Sequence, residues 1–444
     1  MLKKIEIVNC SVESNAIHYK VREENGLGLL KKDIVDLFIR VHYGEGLNFD
    51  LTTVPQSILF IPISLYMLPI TYFFNVELVI PEMDKVLYER LPTIYEAYSK
   101  IYGPFKADWR GKVIVRDIVE NVPVKESKYD KLVFFSGGVD AISAGINNPG
   151  RRTLLVSIPD IEAWAKNEGP LREEKFALIK NFSKIVSSDW LLISNNFNSE
   201  LFKDEEINSY LRSGRGLCSS AYEYDGWGGI KYIANMCSVA PVSYLLGIQE
   251  LIMGSTFEQI EDKLLSNSDG ASPELSDAVK FVNVGFSEQD GLLLRRTKKV
   301  RDIIDWCKSH DVKTKMWACF QDGTTQCGFC CKCVRTQLNI LCAGETPGDW
   351  GFDNFSEEEF TRYVESYLYK ESNPCWLWDN IDTIEDERDY PYCNDLLHWL
   401  KKVGYKKYTS RVNRRSLPGK FKKLLYISKY PYYAKMLIAK FTRG

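Results

Sequence analysis

Histidine is scarce in this chain of 444 residues. Only His18, His42, His310 and His398 occur, and none sits in a metal-protease or catalytic-triad pattern. Imidazole-based hydrolysis is therefore a poor reading. Long hydrophobic runs are missing too. Residues 58–74 form a run of 17 without a charge, short of the about 20 apolar residues that a spanning helix needs. Pro62 and Pro69 would each remove a helix hydrogen bond there. A buried core segment broken at the prolines is expected, with no transmembrane span. The first residues alternate like a strand and lack a signal-peptide core, so a cytoplasmic location is expected. Internal repeats and low-complexity tracts are absent. With 45% apolar and 26% charged residues, disorder and collagen-like repeats are excluded. The net charge of −2 gives no reason to expect a uniform polyanion binder.

What is present is unevenly placed. Residues 401–444 hold 14 Lys/Arg and no Asp or Glu, which leaves the first 400 residues at a net of −16. Residues 349–395 are acidic, with 14 Asp/Glu against 3 Lys/Arg. The basic tail suits three neutralisers: that acidic segment, an acidic partner or nucleic acid, or an anionic membrane surface. Docking on the acidic segment is the preferred expectation. Of the 12 cysteines, five fall between Cys319 and Cys333. Thiols stay reduced in the cytoplasm, and clustered ones there usually bind metal.

Patterning divides the chain into three segments. Residues 1–125 are expected to form an α+β domain, with strands at 5–12, 17–21 and 75–81 and a helix over 86–102. From Leu132 short apolar runs alternate with helical stretches: 132–135, 153–158, 190–194, 250–254 and 281–284. Such runs argue a parallel sheet covered on both faces, so residues 126–345 are expected to be an α/β domain. In such sheets ligands bind beyond the carboxyl ends of the strands. Residues 346–444 form a C-terminal extension, acidic then basic, expected to be helical.

Directly after the first of these strands stands Ser136-Gly137-Gly138-Val139-Asp140-Ala141, which opens a helix. Two glycines let backbone N–H groups approach an anion, and the helix start adds unpaired N–H groups and a positive dipole end. Ser136 supplies a hydroxyl, and Asp140 can hold Mg²⁺ or orient the loop. No Gly-Lys-Ser/Thr follows, so this is not a Walker A loop. The second feature is Cys319, then Cys327-Gly-Phe-Cys330-Cys331-Lys-Cys333. Cys319, Cys327, Cys330 and Cys333 read as a C-x7-C-x2-C-x2-C set for Zn²⁺, with an iron–sulfur cluster as the other four-thiolate reading. Cys331 is left out.

The loop resembles the pyrophosphate (PP) loop, Ser-Gly-Gly-x-Asp-Ser, of the N-type ATP pyrophosphatases, with Ala141 in place of the final serine. Loop and cysteine set together resemble the 7-cyano-7-deazaguanine synthase (QueC) family over residues 130–342. Met316-Trp-Ala-Cys319 and Arg296-Thr297-Lys298 match further family segments. The segment 270–275 departs from the family's substrate motif, and the chain is about twice the family's usual length. It is similar to long QueC-like proteins that accompany anti-phage operons.

The resemblance implies a carbon–nitrogen ligase that splits ATP into AMP and pyrophosphate. It would adenylate 7-carboxy-7-deazaguanine or a related 7-deazapurine carboxylate and pass it to ammonia or another amine, such as one on a protein. ATP, Mg²⁺ and Zn²⁺ are the implied cofactors. Residues 136–140 would hold the pyrophosphate, Asp140 and Lys298 would be catalytic, and Arg335 is a second candidate cation. Two other readings stay open. One is a tRNA-modifying sulfurtransferase with Cys218 or Cys237 as its catalytic thiol; the other is a non-catalytic partner module with a degenerate loop.

Overall fold

The computed structural model describes residues 3–24, 28–43, 47–102, 111–158, 170–212, 227–256, 259–260, 263–264, 270–319, 326–369, 383–385 and 388–402. The chain divides into two compact units, Met1–Trp317 and Ala318–Gly444.

The first unit is a mixed α/β body. Its strands are β1 (Lys4–Val12), β2 (Ala16–Glu24), β3 (Ile34–Tyr43), β4 (Glu77–Asp84), β5 (Lys112–Val119), β6 (Lys131–Phe134), β7 (Thr153–Ser157), β8 (Asp189–Asn195) and β9 (Glu250–Ile252), then the short β10 (Gln259–Ile260), β11 (Lys263–Leu264), β12 (Lys280–Phe281) and β13 (Val284–Phe286). Eleven of them form one sheet, in the order β12-β13-β9-β6-β7-β8-β3-β2-β1-β4-β5, while β10 and β11 pair separately. The run β13-β9-β6-β7-β8 is parallel throughout. Its central strands read as continuous apolar runs because both faces are covered: Leu132, Val133, Leu154, Leu155 and Val156 are fully buried. The N-terminal strands alternate instead. In β2, Ile17, Tyr19 and Val21 point to the core, as a period of two requires.

The two segments on either side of residue 125 share this sheet. β3 pairs antiparallel with β8, Arg40 opposite Ser194 and Val41 opposite Ile193. Residues 281–284, expected as one strand, are instead the corner of the β12–β13 hairpin. Val282 turns there at a φ of 49°, and its N–H donates to Asp84 Oδ2 at 2.9 Å.

Helix α1 (Gln56–Leu59) leads into α2 (Ile61–Phe74), in which every residue from Ile61 to Phe73 is buried. The core reading of this segment holds. Among the described residues no helix is long and apolar enough to cross a membrane. The break expected at Pro69 does not occur. Pro62 falls in the first turn, where its missing N–H costs nothing, and Pro69 is carried inside the helix. Packing on all sides outweighs one lost hydrogen bond. Helix α3 (Lys85–Tyr102) buries Leu87, Ile94 and Tyr98. Helices α4 (Val139–Asn147), α5 (Pro170–Ile185) and α6 (Arg296–Ser309) complete the frame around the parallel strands.

The second unit contains α7 (Cys331–Cys342) and α8 (Glu357–Tyr369), which pack on each other. Glu357, Glu358 and Glu359 crowd the first turn of α8, where negative charge complements the helix dipole. This accounts locally for part of the acidic segment. The basic tail from residue 403 onward lies outside the described residues.

Because β8 depends on β3 for its outer partner, a fragment starting at residue 126 should expose a strand edge carrying Leu191 and Ile193. Size-exclusion chromatography of that fragment should show aggregate, whereas the same C-terminal boundary with residues 1–125 retained should give a monodisperse species.

Candidate functional site

The loop 136–138 sits at a break in the order of the sheet. The chain runs from β6 to β7 and β8 on one side and then crosses to β9 on the other, so β6 lies between β7 and β9. A crevice opens beyond the carboxyl ends of strands at such a switch point. Phe135 extends β6 by donating its N–H to Val156 O at 2.8 Å, and its ring stacks on Phe182 with centroids 4.4 Å apart. The chain then turns. Gly137 has a φ of +81°, and a Cβ there would meet Leu178 Cδ2 at 2.2 Å, so only glycine fits. The Gly137 carbonyl accepts from the Trp317 N–H at 2.6 Å. Ser136 is exposed, and its Oγ accepts from the Gly138 N–H at 3.4 Å. Gly138 is the N-cap of α4 and offers no side chain to the helix-start amides. Val139 and Ala141, by contrast, are buried in the core.

Asp140 stands in the first turn of α4 and is tied to α6. Its Oδ2 accepts from Arg296 Nη1 at 2.7 Å and its Oδ1 from Lys299 Nζ at 3.0 Å. The side chains are 14% exposed for Asp140, 12% for Arg296 and 1% for Lys299. Lys299 also donates to the Ser255 carbonyl, just beyond β9. There the approach is close: a Cβ on Gly254 would sit 2.1 Å from the Asp140 carbonyl oxygen. β9, α4 and α6 therefore meet at one ionic cluster.

Two expectations bear on this cluster. Lys298, chosen as the phosphate cation, is turned away. It is 60% exposed and pairs with Asp302 Oδ1 at 2.5 Å, one turn along the same helix. Among the described residues, the cations paired with Asp140 are Arg296 and Lys299, three residues apart and so on one helix face. The signal for them was the basic run 295–301, but the sequence does not say which face of α6 meets α4. Asp140, expected at the mouth of the loop, is instead the counter-charge of a buried lysine.

The four predicted ligands come together in the second unit. The Sγ atoms of Cys319, Cys327, Cys330 and Cys333 all lie within 4.8 Å of one another. Cys327 and Cys333 Sγ are 3.8 Å apart, the edge expected of a thiolate tetrahedron with Zn–S bonds of about 2.3 Å. Cys330 is the N-cap of α7, which carries Cys333 in its first turn. Backbone N–H groups donate to sulfur, Cys327 N to Cys319 at 3.4 Å and Cys330 N to Cys327 at 3.3 Å. Gln326 braces the segment, accepting from Ala318 N at 2.7 Å and donating to Gly351 O at 2.8 Å. The residues fit a closed metal site. As thiols, Cys327 and Cys333 hold their protons firmly. Burial pushes Cys327 up to about 11, and the hydrogen bond with Cys330 raises Cys333 as well.

Of the alternative catalytic thiols, Cys237 is completely buried and burial drives its pKa up, as for a core residue. Cys218 lies outside the described residues. Arg335 lies on α7, in the second unit. Glu274, in the segment 270–275, pairs with Lys100 at 3.1 Å.

Cys327→Ser should lose bound metal, read by elemental analysis, and lower the melting temperature with it, because site and fold form together. Metal retention should also weaken as pH falls, since protons compete for the thiolates. Asp140→Asn should cost about 3–5 kcal/mol in denaturant unfolding by stranding Lys299. Adding Lys299→Met to Asp140→Asn should recover most of that loss, and an additive double mutant would show that the two groups are not coupled. Searches of family models, curated proteins and solved structures gave no match to this chain.

Proposed function

We propose that this chain is an ATP-dependent ligase of the QueC-like kind, forming AMP and pyrophosphate as it joins a carboxylate to an amine. The observation that carries the reading is the place of the 136–138 loop: a glycine turn at the switch point of a parallel sheet, opening a helix, with two cations behind it. A carboxylate does not condense with an amine near neutral pH, because its oxygen is a poor leaving group. Attack of a carboxylate oxygen on the α-phosphorus of ATP forms an acyl–adenylate and releases pyrophosphate. The amine nitrogen then attacks the acyl carbon, AMP leaves, and the nitrogen loses a proton.

The residues of this chain serve the first step. The 136–138 amides and the start of α4 face the departing negative charge. Ser136 adds a hydroxyl donor, and Arg296 adds a positive charge close by. The four cysteines, when they hold zinc, brace their loop; a closed thiolate shell leaves no position for activating water. Of the two thiols that the sulfur-transfer alternative could use, Cys237 is sealed in the core and Cys218 lies outside the described residues.

The proposed acid is 7-carboxy-7-deazaguanine or a related 7-deazapurine carboxylate, and the acceptor is ammonia or another amine. The changed residues at 270–275 favour a different acceptor or a stop at the amide. Metal-loaded protein incubated with that acid, ATP and ammonium should form AMP and pyrophosphate, and mass spectrometry should find the amide. Clean conversion to the nitrile would sink the altered-acceptor reading, and no AMP with any carboxylate would sink the ligase.

A further inference from the structure

We infer that Asp140 is the built-in counter-ion of the loop and not its magnesium ligand, so that a polyphosphate is held directly, without a metal. The inference rests on the reading of the 136–138 loop as a pyrophosphate site. Both carboxylate oxygens of Asp140 already accept from cations, Arg296 at 2.7 Å and Lys299 at 3.0 Å. A magnesium ion on the same oxygens would sit beside two positive charges in a site with little water to screen them. It would also have to displace the Lys299 ammonium, whose side chain is 1% exposed and has no route to solvation.

Among the described residues, two cations face the one Asp140 carboxylate, which leaves one positive charge over. That charge belongs to Arg296. Lys299 is committed to Asp140 and to the Ser255 carbonyl. The Arg296 guanidinium spends Nη1 on Asp140, while its buried Nε has no acceptor. A phosphate oxygen supplies the missing negative charge. Lys298 does not compete, being paired with Asp302. Magnesium then enters on the phosphate oxygens of the nucleotide, and Asp140 is a positioning residue that keeps Arg296 and Lys299 in place.

The test is calorimetric titration of the full chain with inorganic pyrophosphate. It is run in magnesium-free buffer without chelator, so that any zinc stays bound, and again with millimolar magnesium. Binding is expected in both, with affinities within about threefold. Arg296→Gln, which leaves the Asp140–Lys299 pair balanced, should weaken binding about tenfold or more, the size of one charge-assisted hydrogen bond. The charge-balanced pair Asp140→Asn with Lys299→Met should keep magnesium-free binding. Binding that appears only with magnesium, and is lost in the Asp140→Asn pair, would make Asp140 the metal ligand; it would overturn this inference and leave the loop assignment standing. Unchanged binding in Arg296→Gln would also overturn it. No binding under either condition would overturn the loop assignment itself.

Discussion

An ammonium group sealed from water needs a negative charge beside it, and for Lys299 that charge is Asp140. The requirement reaches well beyond the pair. Asp140 lies in the first turn of α4 and Lys299 on α6, so their contact sets how these helices pack. The second bond of Lys299, to Ser255 O, draws in the chain after β9, and Gly254 permits that approach by having no Cβ to strike the Asp140 backbone. The start of α4 is thereby held against the ends of β6 and β9. The 136–138 loop, which has no side-chain cap of its own, takes its position from this cluster.

The loop and the cysteine centre are built by different means. The loop uses backbone: a left-handed glycine, a helix start and the carboxyl end of a buried strand, with the charge supplied from another element. The cysteine centre uses side chains, four sulfurs on a short stretch and a helix N-terminus, with N–H groups donating to the sulfurs. The anion proposed for the loop would come and go, and fixed amides with a surplus cation would suit it. A resident metal suits a closed set of soft ligands.

How much was legible in the sequence follows from the range of the interactions. The loop and the cysteine set are local: Ser136 to Asp140 and Cys327 to Cys333 each span a turn or two, so spacing alone places them. The strands of the parallel sheet were readable because burial on both faces leaves short, unbroken apolar runs. What was not legible depends on contacts distant in sequence. Asp140 and Lys299 are 159 positions apart, and choosing Lys299 over Lys298 requires knowing which face of α6 meets α4. The joining of the N-terminal strands to the sheet rests on β3 meeting β8, 152 positions apart where His42 Nε2 meets Ser194 Oγ. Pro69 does not break α2, because full burial of the helix outweighs the hydrogen bond that local propensity counts as lost.

The central claim is that the 136–138 loop receives the phosphates of ATP. A crystal structure of the full chain grown with a non-hydrolysable ATP analogue tests it most directly. The account predicts β- and γ-phosphate oxygens within hydrogen-bonding distance of the 136–138 backbone N–H groups and of Arg296, with Asp140 still paired to Lys299. A nucleotide bound elsewhere in the chain, leaving the 136–138 amides and Arg296 without phosphate contacts, would contradict it.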